Sequence, residues 1–336
     1  MAPTKGLEDH VTARSTEAER LGIVQLGLNT TDMPATLRLY SEAFGFANGG
    51  ANAFWGEPSG IQGLGPETRG IMWWLVGRQD FFQLEVFQHT APVPRPLHDD
   101  WRPCDHGWVR FGLLVAAFDD ALEVLDRWGI AYSTAVSADG GAKRAVFRDP
   151  FVGAFVEIIE DEPVMRGVER SRDASSRPAL AYATCSVGDL AAARRFYETV
   201  LGLEIRSRDS LHSVEDERLW GLAGLEPDGF LAVSGDISIE IVSYGEGVGR
   251  AQPDDHCSAD LGIMNVALGS RRVALVRDVI DRARNAGIRS GTEFGQGDML
   301  ALFLLDRDKQ VELIALPEDL DAAVGFSPAV PFFGTW

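Results

Sequence analysis

Short runs in which apolar and polar residues alternate are separated by single amphipathic stretches, as expected of strands that bury one face under helices. Phe82 to Phe87 and Ser238 to Ser243 alternate with period two and carry Glu85 and Glu240. Val109 to Val115 precedes a helical stretch from Phe118 to Trp128, and Ile263 to Leu268 precedes one from Val273 to Ala286. Gly129 and Gly287 follow, each where a helix C-cap is expected. Phe155 to Ile159 and Val311 to Ile314 close the two halves on apolar strands containing Glu157 and Glu312.

The halves repeat one another. Gln25 and Tyr182 are followed seven positions later by Asp32 and Asp189, eight further by Tyr40 and Tyr197, and five further by Gly45 and Gly202. Agreement extends to Trp55-Gly56 and Trp220-Gly221. Self-similarity of this kind predicts four strand–helix–strand units in two pairs. Asp32 and Asp189 are placed to N-cap the first helix of each half, with Leu37, Tyr40 and Phe44 or Leu190, Phe196 and Leu201 as its apolar stripe. The chain divides into a polar segment 1–20, a domain 21–161, a charged, Pro-bounded linker 162–178, a domain 179–316 and a tail 317–336. That tail is apolar enough to be expected on a domain or a partner subunit.

Composition narrows the function. A length of 336 residues suits two domains, and 31 basic against 50 acidic residues leave a net charge of −19, which disfavours nucleic acid and anionic membrane surfaces as partners. Cys104, Cys185 and Cys257 are scattered without a CxxC pair, against both a disulfide framework and a thiolate zinc site. With neither a signal-peptide core nor a membrane-length apolar run, the sequence predicts a soluble, cytoplasmic protein, compatible with a homodimer, that acts on a small molecule.

The first-strand position seven before Asp, the D-x7-Y-x4-G helix and the strand-end Glu after Asp149-Pro150 or Asp306-Arg-Asp308 resemble the vicinal oxygen chelate superfamily. That superfamily contains glyoxalase I, bleomycin-resistance proteins, methylmalonyl-CoA epimerase and extradiol dioxygenases. The resemblance covers residues 21 to 160 and 179 to 316. It implies an α+β fold of tandem βαβββ modules, in which two glyoxalase-like domains each form a cup-shaped mixed sheet. It also implies a divalent metal held by inward side chains on first and last strands. By matching strands, the first cup would offer Gln25, Glu85, Arg110 and Glu157, and the second Tyr182, Glu240, Asn265 and Glu312.

Glyoxalase-like sites resemble Gln/Glu/His/Glu in these positions, so Gln25, Glu85 and Glu157 are the candidate metal ligands and Arg110 replaces the His. A guanidinium keeps its proton and offers only donors. Pointing inward it would pair with Glu85 or Glu157 and leave the cup metal-free; pointing outward it would leave an oxygen-rich site for one hard divalent ion. His89 shares a strand face with Glu85 and is a candidate for proton transfer at the cup's mouth. His106 and His256 precede unit-opening strands; His10, His98 and His212 lack such context. The first half is rich in aromatic residues, of which Trp55, Trp74 and Trp108 are candidate substrate contacts for a flat apolar ligand. Gly56 to Pro66 reads as a flap beside the cup.

Three functions compete. The first is a lyase or isomerase acting on a small apolar or aromatic carbonyl compound, with Glu157 or Glu85 as general base and a metal or Arg110 stabilising the enolate. The second is a binding protein that sequesters an aromatic molecule. A ring-cleaving extradiol-type dioxygenase is the third, with Tyr182 and Asn265 where its iron would require His.

Overall fold

The computed structural model describes residues 21–96, 98, 100–136, 141–161, 176–306 and 309–330. His10, the segment 1–20, most of the linker and the last six residues of the tail lie outside them.

In the first unit, strand β1 (Gly22–Asn29) leads to helix α1 (Met33–Leu39). Asp32 caps that helix through Ala35 N at 3.0 Å, and a π-helical turn over Tyr40–Phe44 extends it. Strands β2 (Ala47–Trp55), β3 (Arg69–Val76) and β4 (Gln83–Ala91) follow. The second unit runs β5 (Gly107–Val115), α2 (Phe118–Arg127), β6 (Tyr132–Val136), β7 (Lys143–Arg148) and β8 (Phe155–Glu160). The third runs β9 (Ala179–Ser186), α3 (Leu190–Arg195), β10 (Glu204–Ser207), β11 (Asp228–Ser234) and β12 (Ile237–Ser243). The fourth runs β13 (Gly262–Ser270), α4 (Val273–Asn285), β14 (Leu300–Leu304) and β15 (Val311–Ala315). Between α4 and β14, where the other units carry a further strand, only isolated bridges at Ser290 and Phe294 form.

Two curled mixed sheets result, but each is assembled from both halves of the chain. The first has the order β14-β15-β13-β1-β4-β3-β2 and the second β10-β11-β12-β9-β5-β8-β7-β6. The seams are antiparallel, β1 against β13 and β5 against β9. This corrects the expectation that units one and two would share a cup. Within the first half those units meet through their helices instead: Tyr40 from the π turn donates to Asp149 before β8 at 2.9 Å, which gives the repeated Tyr a packing role. One continuous apolar core, running from Leu26 and Val86 through Phe111 and Val156 to Leu268, joins the backs of both sheets.

Reciprocal clasps hold the crossing. Arg95, after β4, grips Asp260 before β13 with two contacts of 2.9 and 3.0 Å, and Leu261 N donates to Arg95 O. Arg250, after β12, grips Asp105 before β5 at 2.6 and 3.1 Å, and His106 N donates to Arg250 O. Fork-to-carboxylate pairing of this kind fixes direction as well as distance. It ties each inter-unit connector to its counterpart in the other half.

Candidate functional site

The exchange of units regroups the eight matched positions. Gln25, Glu85, Asn265 and Glu312 lie in the first sheet, while Arg110, Glu157, Tyr182 and Glu240 lie in the second. The foursome of Gln25, Glu85, Arg110 and Glu157 expected around one point is therefore split between two cups.

In the first cup, Trp74, Glu85, Gly27 and Asn265 form one row across β3, β4, β1 and β13, and Glu312 stands opposite Ala267 one rung beyond. Gln25 Nε2 donates to Glu85 at 2.6 Å and to Glu312 at 3.1 Å, Asn265 donates to Glu312 at 3.2 Å, and Trp74 Nε1 donates to Glu85 at 2.9 Å. Gly27 is required here because a Cβ would stand 2.1 Å from the Asn265 side-chain oxygen. Above this floor lies a cavity of about 310 Å³ walled by Phe54, Met72, Phe87, Phe294, Phe303 and Phe326, among others.

Two segments cover it. The flap helix over Glu57–Gln62 brings Ser59, Ile61 and Gln62 to the cavity. From the other side, the tail after β15 crosses the sheet, and Ala329 N bonds to Asn48 O at 2.7 Å on β2. Its Gly325, at φ 81°, lies flat on Trp74, where a Cβ would stand 2.2 Å from the ring. Val324 and Phe326 thus become cavity walls that no strand pattern could reveal.

Burial pushes the Glu85 carboxyl up to about 7, against the hydrogen bonds from Trp74 and Gln25 that favour its charge. Glu312 is raised well above the usual carboxylate range by burial and then by repulsion from Glu85. Among the described residues no group of three or more His, Cys, Asp or Glu side chains is arranged for a metal. An ion in this cup would be held by the Glu85 and Glu312 carboxylates and the amide oxygen of Asn265, because Gln25 turns its nitrogen to both carboxylates and its oxygen to Gln83 Nε2 at 2.9 Å. Asn265 Oδ1 is buried without a partner, and such an all-oxygen set fits a hard divalent cation.

The second cup is sealed. Arg110 is buried to 0% exposure, its guanidinium 3.1 Å from Glu240, 3.5 Å from Glu217 and 4.6 Å from the centre of the Trp220 ring. Glu157, also at 0%, accepts from Tyr182, Arg144 and His212. His212 bridges it to Glu240 at 2.8 Å, and Arg208 joins Glu240 to Glu217. Burial alone would raise Glu157, but the hydrogen bond and charge of His212 and the Arg144 guanidinium outweigh it and hold the group at about 2. A carboxylate so weakly basic and so enclosed is not placed to take a proton from substrate, which corrects both Glu157 as general base and Glu157 as metal ligand. Arg110 does point inward, but its partners are Glu240 and Glu217, not the expected Glu85 or Glu157.

Other candidates separate similarly. Trp55 is 70% exposed and outside the cavity lining. Trp108 is buried, with its indole N–H on Gln310 O at 2.9 Å. His89 is also buried, enclosed by Phe54 and Phe87, and burial lowers it to about 4; it is not at the mouth. His212, Arg208 and Glu217 follow β10 in a stretch without periodicity, which gave no signal of their role.

The paired groups fix the shape of stability against pH. The folded value of Glu157, about 2, is below its ordinary 4.5, so its contribution is present above 4.5 and lost as pH falls towards 2. His212 is lowered by burial but raised more by Glu240 and Glu157, to a net value above its ordinary 6.5. Its contribution is present below 6.5 and lost as pH climbs through the folded value. Glu85 favours the folded state while protonated, and that advantage fades from pH 4.5 through about 7. Thermal melts are therefore expected to peak between pH 4.5 and 6.5, and Glu312→Gln should flatten the alkaline decline.

No protein-family model matches the sequence, and no curated protein matches it either. Solved structures do match. A single-residue variant of glyoxalase I from Zea mays superposes with a TM-score of 0.58 at 15% identity, covering 91% of this chain and 97% of that one. A candidate dioxygenase from Bacillus subtilis subsp. subtilis str. 168 gives 0.61 at 14% identity, covering 92% and 91%. The chain has the vicinal oxygen chelate fold. Within that fold, the first cup has an open interior above Gln25, Glu85, Asn265 and Glu312. The second has filled the equivalent space with its own cations. Among the described residues no helix is long and apolar enough to cross a membrane.

Proposed function

We propose that the protein is a lyase- or isomerase-type enzyme that removes a proton next to the carbonyl of a small apolar or aromatic substrate in the cup built by β1, β4, β13 and β15. The observation that carries this reading is the Glu85–Glu312 pair, two buried carboxyls joined through Gln25 on the floor of an apolar cavity.

Carboxyls whose proton affinities are driven apart divide into a base and an acid. Burial holds Glu85 at about 7, and burial together with repulsion from Glu85 raises Glu312, so Glu85 is assigned the base and Glu312 the acid. Glu85 accepts the carbon-bound proton, and Glu312 donates to the carbonyl oxygen as the enolate forms; return of a proton to carbon completes an isomerisation. Trp74 and Gln25 hold Glu85, Asn265 and Gln25 hold Glu312, and the aromatic walls exclude water, which strengthens both interactions. A divalent ion held by Glu85, Asn265 and Glu312 would supply the positive charge that the Glu312 proton otherwise provides.

The test is solvent-deuterium incorporation next to the carbonyl in a panel of aryl ketones, hydroxyketones and ketoaldehydes, with chelated and Mg²⁺- or Mn²⁺-supplemented protein. Exchange should rise with pH through about 7, as Glu85 ionises. Binding of these compounds with no exchange under any condition would overturn catalysis and leave a sequestering protein.

A further inference from the structure

We propose that the molecule taken by the open cup bears no negative charge and presents an O–H or N–H donor beside its carbonyl: a neutral, apolar hydroxy- or amidocarbonyl compound rather than an acid, a phosphate or an acidic conjugate. The proposal rests on that cup being the functional site and narrows what enters it.

Charge is the first argument. Of the cavity-lining residues only Glu85 and Glu312 are ionisable acids, and among the described residues no Lys, Arg or His lines the cavity. The second cup shows what the same fold does where it stabilises buried carboxylates: it places Arg110, Arg144 and Arg208 against Glu157, Glu217 and Glu240. An anionic ligand would leave water for a low-dielectric cavity that holds carboxyls and no counter-charge. The net charge of −19 opposes its approach as well.

Unmet hydrogen bonding is the second argument, and it is independent of the acids. The Gln62 side-chain oxygen and the Ser59 hydroxyl belong to cavity-lining residues that are only 6% and 2% exposed, and neither atom has a hydrogen-bond partner. Buried polar atoms are rarely left unpaired. In its observed orientation Gln62 Oε1 is an acceptor, so a donor on the ligand completes it. Both residues lie on the flap helix, opposite the carboxyl floor, so a ligand with a donor at one end and an apolar body between would satisfy the flap while filling the aromatic space.

Three probes with one ring system separate the possibilities: 1-naphthylmethanol, 1-methylnaphthalene and 1-naphthoate, titrated calorimetrically at pH 8 into full-length protein dialysed against chelator. The alcohol is expected to bind at least about tenfold more tightly than the carboxylate. It should also bind about threefold or more tightly than the methyl compound, a margin that Gln62→Leu removes. Carboxylate binding equal to or tighter than the alcohol, no advantage of alcohol over methyl, or no binding by any probe overturns the proposal. Because the readout is affinity, it fails separately from the catalytic reading: deuterium exchange with a reversed ranking sinks this inference alone, and the expected ranking without exchange sinks only the chemistry.

Discussion

Replacing Arg110 by Met is expected to destabilise the protein by about 3–5 kcal/mol, the cost of removing one partner from a buried ionic cluster. Its guanidinium meets Glu240, Glu217 and the Thr184 hydroxyl with no access to water. Arg110, Arg144, Arg208 and a protonated His212 balance Glu157, Glu217, Glu240 and Asp216, so the substitution leaves an uncompensated negative charge sealed inside the sheet. Against a total stability on the order of 5–15 kcal/mol, that is a large fraction. Arg110→Lys should fall between, since it restores charge but not the fork that reaches two carboxylates. Pairing Arg110→Met with Glu240→Leu should recover much of the loss, because apolar replacement of both partners is often close to neutral. Chemical denaturation of the three variants measures these differences. A loss under about 1 kcal/mol for Arg110→Met would mean that the cluster contributes packing and no more.

The contrast between the two cups explains what could be read from the residues alone. Strand-end Glu residues, the Asp-to-Tyr spacing and the Gly after each helix are local features, and local features located all four units; the eight positions Gln25, Glu85, Arg110, Glu157, Tyr182, Glu240, Asn265 and Glu312 came from matching those units to the superfamily they resemble. Which unit pairs with which is not local. β1 pairs with β13 and β5 with β9, and the connectors that accompany this exchange carry Arg95 and Arg250, which read as ordinary charged loop residues until their carboxylate partners in the other half are known. The same ignorance displaced the chemistry. Arg110 spoils a Gln/Glu/Glu site only when it is assigned to the wrong cup; moved to its own, it neutralises Glu240 and Glu217, and the open cup receives Asn265 instead. Trp55 failed for a simpler reason: it ends a strand at the sheet's outer edge, where alternation no longer predicts burial. Val324 and Phe326 reach the cavity from an irregular segment whose apolar content was visible but whose destination was not.

Glu85→Gln is expected to lower proton exchange by at least about a thousandfold, since an amide of the same shape cannot accept a proton and both general-base catalysis and its partner's polarisation are lost. Ligand affinity should fall far less than turnover, because the substituted amide fills the same space beneath Trp74, although its nitrogen must then face one of the two donors, Trp74 Nε1 or Gln25 Nε2, that the carboxylate accepted from. Glu312→Gln should behave differently. Its amide still donates to the carbonyl oxygen but carries no transferable proton, so a smaller loss of about ten- to a hundredfold is expected. The pH profiles make the division of labour visible. The ascending limb near 7 belongs to Glu85 and should survive in Glu312→Gln, since burial, the first cause of the raised value, is unchanged. The descending limb, set by loss of the Glu312 proton at higher pH, should disappear in that variant. Equal losses with identical pH profiles in the two variants would show that the carboxyls act as a single unit, as joint ligands of one ion do, and that the base-and-acid assignment is wrong.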